Sequence, residues 1–67
     1  MTIEDRRILI LAQICSAYAE IEGMKAENAD HAMMDKFPLY TEEAFFAIPE
    51  KYGITHNQVI SYLMDGR

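Results

Sequence analysis

Tryptophan is absent from this 67-residue chain, cysteine occurs once, proline twice and glycine three times. The single cysteine, Cys15, excludes an intrachain disulfide, and its place in the most apolar stretch predicts a small buried hydrophobe. Gly23, Gly53 and Gly66 are too scattered to form a phosphate-cradling loop. Positive charge is also scarce: six Lys and Arg stand against eleven Asp and Glu, for a formal charge of -5. Such a balance argues against non-specific adhesion to nucleic acid or to anionic membranes. No long apolar run occurs either. Ile8 to Ile14 is broken by Gln13 and falls far short of the ~20 residues that span a bilayer. The first residues lack the basic region and small-residue cleavage site of a signal peptide. With an unpaired cysteine, these features predict a cytoplasmic protein without membrane contact.

What remains is rich in helix signals. Thr2 begins a capping box with Asp5 three residues later, and Glu4 adds acidic charge to the first turn. Ile3, Ile10, Ile14, Ala17, Ile21 and Met24 recur at three- and four-residue steps. Ile8, Leu11, Cys15 and Tyr18 widen the stripe until it suits a helix gripped by more than one neighbour. A first helix over 3–22 and a second over 24–36, bent or broken near Gly23 and stopped by Pro38, follow from this spacing. Thr41 is a candidate cap for a third, with Glu42 and Glu43 in its first turn and Tyr40 stapled to Phe45; Pro49 is expected to end or kink it. Thr55 and Gln58 form another capping box, Ile54 and Val59 a staple, and Gly66 a C-cap for the last helix. The expectation is a single all-α domain over 1–67, a compact bundle of three or four helices with a long N-terminal helix.

Gly53, Ile54, Thr55 and Val59 carry one resemblance. The stretch Glu50 to Leu63 resembles the second half of a helix-turn-helix DNA-binding motif, with a turn glycine, an apolar residue, a capping threonine and an inward valine. That resemblance implies a recognition helix presenting His56, Asn57, Gln58 and Ser61 to a DNA groove, flanked by Lys51 and Arg67. Pro49 stands where the motif has a small residue, and Tyr62 where a smaller aliphatic is common. No Arg or Lys lies within the helix itself, although phosphate contacts need them.

Other groupings give less. Glu27, His31 and Asp35 make an i, i+4, i+8 row, but such a row extends roughly 12 Å, too far for its ends to share one ion. No metal or cofactor is expected. Cys15 lies amid Ile10, Leu11 and Ile14 with no local feature that would activate it as a nucleophile, and no catalytic grouping emerges.

Function is therefore sought in contact. A 67-residue chain buries only ~60% of its unfolded surface, which leaves apolar area for a partner. Met33 and Met34 offer adaptable thioethers, and the adjacent Phe45 and Phe46 diverge by ~100°, so that one can enter the core while the other faces outward. With Tyr40 at the same segment and Glu42 and Glu43 at its rim, these residues are one candidate protein interface, and the long first helix is the other. The expectation is a small acidic, non-catalytic protein-interaction or regulatory module, with a protein partner and a homodimer among the arrangements. A reduced helix-turn-helix DNA binder and a structural subunit of a larger complex are the alternatives. Small size and acidity also suit an accessory protein of a compact genome such as a phage's, by analogy alone.

Overall fold

A computed structural model describes residues 1–64, which form three helices and no strand: α1 (Ile3–Met33), α2 (Glu42–Lys51) and α3 (His56–Met64). The expected caps at Gly66 and contacts at Arg67 lie outside the described residues. The expected compact three- or four-helix bundle does not form. One long helix instead carries a single bent limb, α2 followed by α3, laid back along it. The molecule measures 50 × 17 × 10 Å, and its radius of gyration is 15.4 Å. A compact chain of this length would have a radius near ~11 Å.

The elongation comes from α1, which runs unbroken through Gly23 for 31 residues. The predicted break there does not occur. Glycine costs a helix only ~1 kcal/mol, and good helix formers surround it: Glu22 and Lys25 pair across one turn at 3.2 Å, and Met24 is buried. The start of α1 is as expected. Asp5 N donates to Thr2 Oγ1 and Thr2 N to Asp5 Oδ2, both at 3.1 Å. Its end was not foreseen. Asp35 takes a left-handed φ of 59°, Lys36 N donates to His31 O at 2.8 Å, and Asp35 N to Ala32 O at 3.2 Å. This is a Schellman cap with aspartate in the place glycine usually holds.

Pro49 does not end α2, which continues to Lys51. The true stop is Gly53, at φ 69°, where Ile54 N reaches Pro49 O (2.9 Å) and Gly53 N reaches Glu50 O (3.1 Å). Proline is tolerated so near the C-terminus because only one backbone bond, to the Phe45 carbonyl, is forfeited. Thr41 holds the N-cap position of α2, yet its side chain makes no capping bond. At α3 the box closes: Gln58 N donates to Thr55 Oγ1 at 3.4 Å, and Thr55 N to Gln58 Oε1 at 3.2 Å.

The core is thin. Ala17 and Met24 from α1 and Ile48 from α2 are buried, with Ile21, Tyr40, Ala44, Phe45, Tyr52 and Ile54 packed around them. Toward the start of α1, Arg6 is only 4% exposed, beneath α3. Cys15, expected inside, is exposed. It stands nine residues from both Arg6 and Met24, and nine steps of 100° put it half a turn away from each.

Candidate functional site

The covered side of α1 is held by three polar ties, each joining it to a different part of the returning chain. Near its start, Arg6 Nη1 donates to Tyr62 O at 2.5 Å, and the guanidinium lies 5.2 Å from the Tyr62 ring centroid. In the middle, Glu20 Oε1 accepts from Lys51 Nζ and from Tyr52 Oη, each at 2.8 Å. Those bonds, Lys51's foremost, hold the Glu20 carboxyl below the usual carboxylate range; the same contact holds Lys51 and Tyr52 above their ordinary values. Further along, Asn28 Nδ2 donates to Tyr40 O and Tyr40 N donates to Asn28 Oδ1, both at 2.9 Å. Arg6, Glu20 and Asn28 were not singled out from sequence, because nothing in local spacing marks the far end of each tie.

The other side of α1 has no such cover. From Ile8 to Ala19 the helix contains no charged residue. A helix apolar all round is ordinarily buried all round. Here α2 and α3 occupy one flank only, and Ile8 (63% exposed), Leu11 (60%), Cys15 and Tyr18 (64%) run along the remainder at three- and four-residue steps. Ile14 is exposed beside them. Ala12, Ser16 and Ala19 border the stripe, so that side chains of little bulk leave it broad and accessible.

The candidate interface residues are divided by the fold. Phe45 and Tyr40 pack on the Ala17, Met24 and Ile48 cluster, whereas Phe46 is 72% exposed. The divergence of the two phenylalanines is thus realised, one inward and one outward. Met33 and Met34 at the end of α1 are exposed, as are Glu42 and Glu43 in the first turn of α2. Phe37 and Leu39, in the connection between those helices, are exposed as well.

For the helix-turn-helix alternative, α2, the Gly53 turn and α3 follow one another in the order helix, turn, helix. His56, Asn57 and Ser61 are exposed, but Gln58 is engaged with Thr55 and Lys51 with Glu20. The Glu27, His31 and Asp35 row does not form, because α1 ends at Met33 and His31 Nδ1 lies 3.0 Å from Phe37 O. Among the described residues no three His, Cys, Asp or Glu gather in a metal-holding group. A cleft of about 230 Å³ between α1 and the bend is lined by Leu9, Ile10, Gln13, Tyr52, Gly53, Ile54 and Tyr62. Among the described residues, no helix is long and apolar enough to cross a membrane. No protein-family model, curated protein or solved structure matches the chain.

Proposed function

We propose that this chain is a non-catalytic protein-interaction module and that the uncovered face of α1, centred on Leu11, Cys15 and Tyr18, is its contact surface. The observation that carries this reading is the charge-free stretch Ile8 to Ala19 on a helix that its own chain covers on one flank only. Contiguous apolar surface of this kind marks interaction sites on small proteins. The aromatic ring of Tyr18 suits the centre of such a contact, and the acidic groups elsewhere suit its rim. The Met33, Met34 and Phe46 end of the molecule, with Glu42 and Glu43 beside it, is a second apolar surface and has no comparable continuous stripe.

Glutamate at Leu11 or Tyr18 tests the reading. Neither side chain belongs to the buried cluster, so far-UV circular dichroism should keep its wild-type helical signal. Association, read as mass by light scattering of the protein in its native mixture, should be lost. Association unchanged in both variants contradicts the assignment.

DNA binding through α3 is the second reading, supported by the helix, glycine turn and capped helix in the motif's order. Against it, residues 56–64 contain no Lys or Arg. A salt-dependent titration with duplex DNA separates the two, since phosphate-based binding weakens steeply as salt rises. A structural subunit of a larger complex would use the same α1 face.

A further inference from the structure

Resting on the contact reading above, we propose that the occupant of this face is a second copy of the chain, with the two α1 helices antiparallel about a twofold axis between Ile14 and Cys15. The argument is one of charge register. Glu4, Leu11, Tyr18 and Lys25 follow one another at seven-residue steps along α1, so they form a single row. Ile8, Cys15 and Glu22 border it on one side, Arg7 and Ile14 on the other.

An antiparallel pairing that sets Leu11 against the partner's Tyr18 fixes every other pair. Glu4 then meets the partner's Lys25 in the same central row, and, because a twofold sets like sides together, Ile14 meets the partner's Ile14 on one side of the axis and Cys15 the partner's Cys15 on the other. The apolar residues fall in the middle, and opposite charges fall at both ends. Glu22 and Lys25 already pair within the chain at 3.2 Å, with side chains 44% and 60% exposed, so Glu4 of a second copy would bring a second carboxylate to Lys25. A parallel pairing through the same row sets Glu4 against Glu4 and Lys25 against Lys25. Like charges at facing positions select against it. The α2–α3 limb lies on the far flank of α1 and leaves the row clear.

The test is sedimentation equilibrium on the full chain from micromolar to millimolar concentration. The wild type should show a monomer–dimer equilibrium. Glu4→Lys and Lys25→Glu should each weaken it roughly tenfold, because both copies of the pair turn repulsive. An equimolar mixture of the two single variants should regain wild-type affinity, since in that heterodimer every facing charge is opposite. The Glu4→Lys, Lys25→Glu double variant should regain it too. Circular dichroism of each variant checks that the helices persist. A wild type that stays monomeric overturns the self-pairing, as does a mixture that fails to recover. Neither result touches the contact reading unless Leu11→Glu and Tyr18→Glu also leave native association unchanged.

Discussion

Arg6 and Tyr62, at opposite ends of the described chain, are joined twice: the guanidinium donates to the tyrosine's main-chain carbonyl and lies 5.2 Å from the centre of its ring. That carbonyl lies in the last described turn of α3. Replacing Arg6 by methionine keeps an apolar stem but removes the guanidinium that donates to this carbonyl. Unfolding in urea should then show a loss of about 1–2 kcal/mol. Tyr62→Phe removes only a 3.3 Å contact to Met1 Sδ and should remain within about 0.5 kcal/mol of wild type.

Asn28 performs a two-sided clamp that aspartate cannot. It donates to the Tyr40 carbonyl and accepts from the Tyr40 amide, and ionised aspartate keeps only the accepting half. Asn28→Asp and Asn28→Ala should each destabilise by about 1–3 kcal/mol, measured by urea denaturation. The connection before α2 should exchange its amide hydrogens faster in both.

The Glu20, Lys51 and Tyr52 contact gives stability a defined pH shape. Glu20 is held below its ordinary value, so its contribution is present at neutral pH and fades as pH falls through the carboxylate range. Lys51 and Tyr52 are held above theirs, so their contribution is also present at neutral pH and fades as pH rises beyond about 10. The stability gap between wild type and Glu20→Gln should therefore be widest near neutrality and close toward both extremes. A gap constant from acid to alkali would show that the carboxylate's charge plays no part.

Two backbone positions can be improved. Asp35 holds a left-handed φ of 59° that glycine adopts without strain, and Asp35→Gly should stabilise by about 0.5–1 kcal/mol. Gly23 lies inside α1 with nothing within 4 Å of an added Cβ, so Gly23→Ala should add about 1 kcal/mol. Thermal unfolding reads both as a raised midpoint.

Local grammar was legible where donor and acceptor sit three residues apart. The Thr2–Asp5 and Thr55–Gln58 boxes both form, as does the turn at Gly53. Thr41 marks the correct position without making the bond. The Gly23 break failed because a propensity of ~1 kcal/mol is small beside the contacts that bury Met24 one residue later. The ties at Arg6, Glu20 and Asn28 depend on how the bent limb aligns with α1, which periodicity does not encode. Compactness misled for a related reason. A broad apolar stripe reads the same whether its own chain or another molecule covers it, and Cys15, in the middle of that stripe, was assigned to the wrong side.

Cys15 for that reason provides the most direct measurement of whether the uncovered face of α1 is a contact surface. Its alkylation rate by a small maleimide should be at least tenfold slower in the native mixture than in the urea-unfolded chain, and Leu11→Glu should abolish that protection. A native rate equal to the unfolded rate would show the face standing open to solvent and contradict the assignment.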